Sequence, residues 1–421
     1  MQMSTTNQPL GVGMVGAGGF GRFCLRAYSG LCSVRLVAVC DSHAQRLQAV
    51  AQEFGLKAYG SYEQMLADPD VHIVAINTPP ALHAGQVIAA ISAGKHVFCE
   101  KPLATTVEDV ERVLRVTHDA GVALGINYVM RRNPLYRLLS RLSGLQVEGG
   151  HGQGSEPVLG KLRRFSVENF AADEHLGPDH WFWDEQVSGG IFVEHGVHFF
   201  DLCDWQMGCR PVRAVALAVA GSRPDLYRGV TDTVQGIVEY EGGATGSFYH
   251  SFARAVAAEH QTITLGWDWA TAVLHGWIAL DLKLEALVDD AGLEALADLL
   301  AEGEGMLCLP GEPALPGAHL GWRVVERFPG GQRMRGRGQE CLATARVQLE
   351  AALGGPEAKQ TVYEQSVRAG MADLLAAIFG SPPGVPYADM WSSTAVAVAC
   401  HQAALFGCAV SVPPAPEWLC S

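Results

Sequence analysis

The feature that most constrains this chain is a glycine-rich turn between two apolar runs near the N-terminus. Gly16, Gly18 and Gly21 stand in G-x-G-x-x-G spacing between a short apolar run and a run with helical periodicity. A second apolar run, Val34 to Cys40, ends at Asp41. In such a unit the first glycine permits a tight turn, the second lets a pyrophosphate approach the backbone, and the third lets helix and strand pack closely. The pattern predicts dinucleotide binding at the N-terminus of the helix; the alternative is a purely structural turn.

Asp41 indicates which dinucleotide is bound. A carboxylate at the end of the second strand can accept hydrogen bonds from both hydroxyls of the adenosine ribose, and it would repel a 2′-phosphate. Ser42 and His43 follow it, and Arg46 is the nearest cation, which we expect to stack on the adenine. We therefore predict NAD in preference to NADP. Asp41 is alternatively the N-cap of the next helix, and it could serve both purposes.

Composition excludes several classes of partner. The 421 residues suggest two or three domains, and 48% hydrophobic with 18% charged residues describes a globular chain with an ample core. A formal charge of −14 argues against nucleic acid, because binding a phosphate backbone requires an excess of Lys and Arg. The 11 cysteines contain no C-x-x-C pair, which fits a reducing compartment. No signal-like segment and no membrane-spanning apolar run is evident, so we expect a cytoplasmic location.

The first 130 residues alternate between predicted strands and helices. The predicted strands are apolar throughout, as expected for a parallel sheet that is buried on both faces, and polar side chains follow each of them. This pattern predicts a doubly wound parallel α/β sheet with ligands at the carboxyl ends of its strands. The predicted strands after the glycine turn are Val34–Cys40, Val71–Ile76, His96–Glu100 and Val122–Asn127. The predicted helices are one that follows the glycine turn and ends at Gly30, and the runs Ala44–Phe54, Ala81–Ala93 and Val107–Ala120.

The pattern changes after residue 130. Alternating segments between residues 161 and 265 predict a largely antiparallel sheet with one face covered, and two helices close the chain. Residues 283–350 give no clear prediction. We therefore predict a coenzyme-binding domain at 1–130 and an α+β domain at 131–421, whose C-terminal helices can pack back on the first domain.

Six motifs together resemble the Gfo/Idh/MocA oxidoreductases, a family that includes inositol and sugar dehydrogenases. They are GAGGFGR, Asp41 with Arg46, NTPPALH, EKP, MRRNP and GGIFVEHGVHFFD. The resemblance implies a Rossmann domain followed by a domain with a large, open, mainly antiparallel sheet. It also implies a homodimer or homotetramer formed through that sheet.

The resemblance implies a coenzyme site and a lysine beside it. In this family the lysine of EKP, here Lys101, lies next to the nicotinamide and hydrogen-bonds the substrate hydroxyl, where an ammonium stabilises the developing alkoxide. A solvent-facing lysine is the alternative. The residues predicted to bind the coenzyme are Gly16, Gly18, Gly19, Phe20, Gly21, Asp41, Arg46, Thr78, Pro79, His83, Glu100, Lys101 and Asn127.

The resemblance also implies that His198 is the general base. At α-helical spacing, Ile191, Glu194, His198, Asp201 and Trp205 form one stripe in which three ionisable groups interrupt an apolar face. An imidazole with an ordinary pKa near 6.5 suits proton transfer. The family usually has Asp where this chain has Glu194, so Glu194 is a candidate for catalysis or for binding a substrate hydroxyl. A hydrogen-bonded structural histidine is the alternative for His198.

Further side chains are candidates for the substrate pocket. Glu194, His195 and His198 are also types of metal ligand, but on an α-helix residues 194 and 195 point about 100° apart and the family needs no metal, so we predict none. Trp183, in the segment WFWD, could cover the face of a sugar or simply pack on the helix. Tyr128 and Arg132 are predicted to line the pocket, although Arg131 or Arg132 could form an interdomain ion pair instead. The predicted substrate-binding residues are Tyr128, Arg132, Trp183, Glu194 and His195.

Together these predictions describe an NAD-dependent oxidoreductase. Its substrate would be a secondary alcohol on a sugar, inositol or related cyclic polyol, with Lys101 and His198 in acid/base roles. Two other functions on the same fold stay open: an NAD-dependent glycosidase, and a non-catalytic sensor of NAD and sugar.

Overall fold

The computed structural model describes residues 8–144, 158–172, 176–223, 225–227, 229–336 and 339–419. Two sheets organise the chain, and they confirm the predicted fold class. The first is a doubly wound parallel sheet, and the second is large, open and mainly antiparallel. Within these residues, no helix combines the length and the apolar character needed to cross a bilayer.

The first sheet has six parallel strands in the order β3-β2-β1-β4-β5-β6. The order reverses between β1 and β4, and a crevice for ligands opens at that point, beyond the carboxyl ends of the strands. Four strands and four helices begin or end within two residues of the predictions. The elements are β1 Leu10–Val15, α1 Gly19–Ser29, β2 Val34–Cys40, α2 Ala44–Phe54, β3 Lys57–Tyr59, α3 Tyr62–Leu66, β4 Ile73–Ile76, α4 His83–Ser92, β5 His96–Cys99, α5 Val107–Ala120 and β6 Leu124–Ile126.

The second sheet has ten strands in the order β14-β15-β13-β12-β11-β7-β10-β9-β8-β16. All neighbours are antiparallel except β7 and β10, which pair in parallel. Helices α8 and α11 cover one face. The elements are α6 Pro134–Leu142, β7 Leu162–Phe170, α7 Glu185–Ser188, α8 Val197–Met207, β8 Pro211–Ala220, β9 Thr231–Tyr240, β10 Thr245–Ser251, β11 His260–Trp267, β12 Ala270–His275, β13 Asp281–Val288, α9 Asp290–Leu299, β14 Ala318–Gly336, β15 Gln339–Leu353, α10 Ala358–Ile378, α11 Tyr387–Phe406 and β16 Val410–Ser411.

Helix α10, near the end of the chain, returns to the first sheet. The ring of Tyr363 on α10 lies 5.7 Å from that of Phe20 and 4.9 Å from that of Phe23, both on α1. A Cβ on Gly370 of α10 would lie 2.9 Å from the ring of Phe98 on β5, so this helix packs closely on the sheet. One helix therefore brings residues from near the end of the chain to the coenzyme crevice.

Candidate functional site

The glycine turn has the shape of a dinucleotide cradle. Gly16 has a φ of +87°, which favours glycine. A Cβ on Gly16 would lie 2.4 Å from the carbonyl oxygen of Asn77, and a Cβ on Gly21 would lie 2.1 Å from that of Gly16. Gly18 and Gly19 instead face open space at the N-terminus of α1. The turn thus leaves free backbone at the point where a pyrophosphate would meet a helix end.

Asp41 directly follows β2, as predicted, and Arg46 lies beside it. The Asp41 carboxylate accepts hydrogen bonds from the backbone N–H of Ala17 at 2.8 Å and of His43 at 2.7 Å. Arg46 donates to both carboxylate oxygens, at 2.9 and 2.6 Å, so its guanidinium lies beside Asp41. Burial opposes ionisation, but these hydrogen bonds hold the pKa of Asp41 below its usual value. Asp41 is not the N-cap of α2, because the ring of His43 fills that role.

The wall after β4 is fixed by a buried histidine. The two ring nitrogens of His83 lie 2.6 Å from the carbonyl oxygen of Pro102 and 2.7 Å from that of Thr78. The imidazole therefore links this wall to the loop that carries Lys101. Burial lowers the pKa of His83. Pro79 directly precedes the short 3₁₀ helix Pro80–Leu82. His83 thus positions the crevice wall from within the protein, instead of facing the crevice.

A cavity of about 600 Å³ opens beside these groups and lies between the two sheets. The first sheet contributes the side with the glycine turn and Lys101, the second sheet and the helix that covers it contribute the opposite side, and α10 contributes a third. The cavity is lined by Phe20, Asn77, Thr78, Pro80, Glu100, Lys101, Asn169, Ala171, Ala172, Leu176, His180, Trp181, Phe182, Glu194, His195, His198, Phe252, Val256, Glu259, Gln261, Trp277, Lys359 and Tyr363.

Lys101 and Glu194 meet across the cavity. The Lys101 ammonium donates to the Glu194 carboxylate at 2.7 Å and to the Glu194 carbonyl oxygen at 2.8 Å. Both side chains are 13% exposed, so water screens the pair only weakly. The longer side chain of Glu allows the carboxylate and the carbonyl of one residue to hold the same ammonium. Lys101 is therefore fixed by a residue of the turn that precedes α8, on the other side of the cavity.

The helix with the predicted base begins with a π-helical turn, Phe192–Gly196, which continues into α8. A π turn contains one residue more than an α turn and occurs often at functional sites. Glu194, His195 and His198 all line the cavity in this arrangement. On a regular α-helix residues 194 and 195 would point about 100° apart, and the π-helical turn departs from that spacing, so the predicted α-helical stripe does not describe the first turn.

Both histidines are held neutral. Burial, followed by the charge of Lys101, lowers the pKa of His195 to about 3, and the same two causes hold the pKa of His198 well below 6.5. The Nδ1 atom of His198 and the Nε2 atom of His195 have no hydrogen-bond partner within the described residues. The ring of His198 lies 5.0 Å from that of Trp277. A neutral imidazole can accept a proton, and the nearby ammonium makes this neutral form prevail.

Glu100 is the other titratable group beside Lys101. Burial raises the pKa of Glu100 to about 7, although the hydrogen bond that Asn127 donates to it at 2.5 Å lowers this pKa. Glu100 lines the cavity, whereas Asn127 lies behind it and is 1% exposed. Asn127 therefore positions Glu100 and does not itself face the cavity.

Three of the residues that we predicted to bind substrate do not line the cavity. Tyr128 is buried and hydrogen-bonds Ser393 at 2.7 Å, and Arg132 pairs with Asp373 on α10. Trp183 donates its indole N–H to the carbonyl oxygens of residues 176 and 177. Successive residues of a 3₁₀ helix point about 120° apart, so in Trp181–Trp183 the first two rings reach the cavity and the third packs inside the protein.

Asp201 also has a structural position. Its carboxylate accepts two hydrogen bonds from Arg131, at 2.8 and 2.7 Å, and Arg131 pairs with Asp389 at 2.8 Å as well. Asp201 is fully buried and Arg131 is 6% exposed. The ion pair that we considered as an alternative for this arginine is therefore present, and it attaches α8 to the segment after β6 and to α11.

The sequence analysis missed several cavity residues, because they lie in no recognisable motif. Trp277 follows β12, Tyr363 and Lys359 lie on α10, and Asn169 and Gln261 lie on β7 and β11. The polar residues at covered positions of otherwise apolar strands were the only available signal. Among the described residues, no group of three or more His, Cys, Asp or Glu side chains is arranged to hold a metal ion.

Comparison with known proteins agrees with this geometry. The family profile described as an oxidoreductase family with an NAD-binding Rossmann fold matches residues 10–128. The profile of the GFO/IDH/MocA C-terminal domain matches residues 155–267, and the two matches cover more than half of the chain.

Individual relatives match over shorter stretches. The 1,5-anhydro-D-fructose reductase of Ensifer adhaerens is 31% identical over 226 residues, or 53% of this chain and 63% of that protein, which is less than two thirds of its length. The myo-inositol 2-dehydrogenase of Thermotoga maritima is 28% identical over 254 residues, or 60% and 71% of the two chains. A levoglucosan dehydrogenase structure in complex with NADH has a TM-score of 0.68 at 20% identity and covers 97% of this chain and 100% of that one, which shows a shared fold. With its motifs, its two profile matches and this fold, the chain belongs to the Gfo/Idh/MocA oxidoreductase family.

Proposed function

We propose that the protein is an NAD-dependent oxidoreductase acting on a secondary alcohol of a sugar, inositol or related cyclic polyol. The observation that carries the proposal is the cavity between the domains, where Lys101, Glu194 and His198 lie together at the switch point of the parallel sheet. The bound coenzyme would supply a hydride acceptor at its nicotinamide ring. Relatives named as dehydrogenases and reductases of inositol and anhydro sugars support the substrate class.

Lys101 binds the hydroxyl that is oxidised. Its ammonium already has two oxygen acceptors on Glu194, and an alcohol oxygen would be a third of the same kind. A positive charge beside this oxygen favours the alkoxide that develops as hydrogen leaves the carbon. Glu194 holds the ammonium in place and neutralises it until substrate arrives.

His198 takes the hydroxyl proton. Its ring lines the same cavity and is neutral, which is the form that a general base requires. A positioned base contributes about 10²–10⁴ in rate. For reduction of a keto sugar, the same ring would return the proton.

The coenzyme we propose is NAD, with NADP disfavoured. Asp41 at the end of β2 is the acceptor expected for ribose hydroxyls, and its low pKa keeps it ionised. Arg46 would have to leave both oxygens of Asp41 before it could meet a 2′-phosphate. An Asp41→Ala substitution should therefore reduce the preference for NAD over NADP by about 100-fold or more, measured as the ratio of kcat/KM values.

The outer face of the second sheet is the surface we propose for self-association. Val215, Leu217 and Val219 on β8 and Ile237 on β9 lie side by side on the uncovered face, and they are 42–66% exposed. We call these four residues the outer apolar patch. Apolar groups gathered in this way often mark an interface, so we propose a homodimer or homotetramer formed through this face.

A panel assay tests the function. Sugars, inositols, levoglucosan and aryl glycosides are offered with NAD or NADP, and reduced nicotinamide is followed. We expect NADH to form with at least one polyol. Lys101→Met and His198→Ala should bind NAD as wild type does but lower kcat by about 10²–10⁴. Cleavage of aryl glycosides without net NADH would instead identify a glycosidase, and binding without turnover would identify a sensor. Near-normal turnover in either variant would refute the role of that residue.

A further inference from the structure

A row of polar side chains crosses the covered face of the second sheet. In the strand register His250 on β10 pairs with Asn169 on β7, which pairs with Gln261 on β11. Paired residues project to the same face, so the three form one line. They are 0%, 1% and 7% exposed, respectively.

The row interrupts an otherwise apolar surface. The next covered positions are Val167 on β7, Phe248 on β10 and Ile263 on β11, all at most 1% exposed. An apolar side chain at Asn169 would continue this packing. A buried polar group without a hydrogen bond destabilises the fold, so the presence of a polar side chain at position 169 requires another explanation.

Several polar atoms of the row are unsatisfied. Among the described residues, the Nδ2 atom of Asn169 and both ring nitrogens of His250 have no partner. His195 stands above the row, 5.3 Å from the ring of His250, and its Nε2 atom is also unpartnered. His195, Asn169 and Gln261 line the cavity. The unsatisfied atoms of His195 and Asn169 therefore belong to residues at the cavity wall.

We propose that His195, Asn169 and Gln261 form a second subsite, which binds a hydroxyl of an uncharged substrate away from the carbon served by Lys101 and His198. This inference rests on the proposed function and adds a substrate requirement to it. Gln261 donates to Glu259 at 3.2 Å, so a carboxylate lies at one end of the subsite and disfavours an anionic substituent. A hydroxyl can both donate to a neutral imidazole and accept from the Asn169 amide.

Two measurements on Asn169→Leu test the subsite. The first is thermal unfolding without ligand. If the amide serves a ligand, the apolar side chain should raise the apparent Tm by about 2 °C, because it removes an unsatisfied polar group. A lower Tm would show that the amide stabilises the fold and would overturn the proposal. Ser166→Ala, on the opposite face of the same strand, should leave Tm unchanged.

The second measurement is selectivity among hydroxyl groups. Whichever of D-glucose, levoglucosan and myo-inositol wild type oxidises best is compared with its singly deoxygenated analogues. Wild type should disfavour one analogue by about 10- to 100-fold in kcat/KM, and Asn169→Leu should reduce this factor to about twofold. Gln261→Leu provides a second variant with the same expectation.

The outcomes separate the two proposals. If wild type oxidises a polyol but both variants keep the full selectivity, the subsite is refuted and the proposed function stands. If wild type oxidises no polyol with either coenzyme, the proposed function fails. In that case the subsite is judged by Tm alone, and a fall in Asn169→Leu refutes it.

Discussion

At the scale of single residues, the Lys101 ammonium influences three titratable groups of the cavity. Lys101 lowers the pKa of His195 and His198, and it opposes the burial that raises the pKa of Glu100. The Glu194 carboxylate compensates its charge from 2.7 Å. The cavity therefore combines a fixed cation with two neutral imidazoles, an arrangement suited to moving a proton off an alcohol near neutral pH.

The first prediction concerns the pH profile of kcat/KM, on its acid side. His198 must be neutral to accept a proton, and its pKa lies well below 6.5, so wild type should keep its activity as pH falls from 8 to about 6.5. Lys101→Met removes a charge that lowers this pKa, so the residual activity should decline at a higher pH than in wild type. A pH profile at high enzyme concentration measures this shift.

A control separates His198 from Glu100, whose pKa is about 7. Glu100→Gln removes the titration of Glu100 and should leave the pH at which wild-type kcat/KM falls unchanged. If kcat/KM of Lys101→Met falls at the same pH as in wild type, or at a lower pH, the role of the ammonium is contradicted.

At this scale the sequence predicted that Lys101, Glu194 and His198 come together, and all three line the cavity, but it did not predict the direction of every side chain. Lys101 and His198 lie in sequence motifs, so the sequence alone was enough to select them. Arg132 and Trp183 stand in 3₁₀ helices, where a shift of one residue rotates a side chain by about 120°, and no apolar period reveals that rotation. Trp181 and Phe182 reach the cavity for the same reason.

At the scale of elements, α8 is held by two ion pairs, one in the π-helical turn before it and one in its second turn. Its π-helical beginning meets Lys101 through Glu194, while its second turn is attached through Asp201 to Arg131. Arg131 also reaches Asp389 on α11. The orientation of the helix that carries His198 thus depends on a buried arginine outside the cavity.

We predict that Arg131→Leu destabilises the fold by about 3–5 kcal/mol, because it leaves the buried Asp201 without its counter-ion. Urea denaturation measures the change. The matched control is Arg210→Leu, which breaks the half-exposed pair with Glu241 and should cost less than about 1 kcal/mol. Equal losses in the two variants would refute the structural role of Arg131.

Elements with strong apolar patterns were predictable, and those defined by distant pairing were not. β2, α2 and α5 have the predicted bounds, because a continuous apolar run or a helical period defines them locally. The hairpin of β14 and β15 escaped prediction: its ladder shifts register twice between Val324 and Gln332, which disturbs the alternation that marks a strand.

At the scale of the whole molecule, the cavity is assembled from three separated parts of the chain. Trp277 follows β12, and its ring lies 5.4 Å from that of Tyr363 on α10, which in turn packs on α1. This meeting depends on both sheets and the returning helix. It could not be predicted from periodicity, because each residue looks locally like ordinary core.

The outer apolar patch gives the prediction at this scale. Leu217→Glu places a charge at its most exposed member, so it should convert the wild-type oligomer to monomers. Light scattering coupled to size-exclusion chromatography reports the mass. Phe379→Glu changes an apolar residue that is 75% exposed at the end of α10, and it should leave the mass unchanged. A monomeric wild type would refute the interface.

The π-helical turn constrains how this protein can evolve. Deleting one residue between positions 191 and 196 would remove the extra residue of the turn and restore a regular helix, so the backbone path through position 194 would change. The carboxylate of position 194 would then lose its lysine even though no functional side chain had been exchanged. Homologues that share this catalytic geometry should therefore tolerate substitutions in the segment far better than gaps, so its length is inherited together with its chemistry.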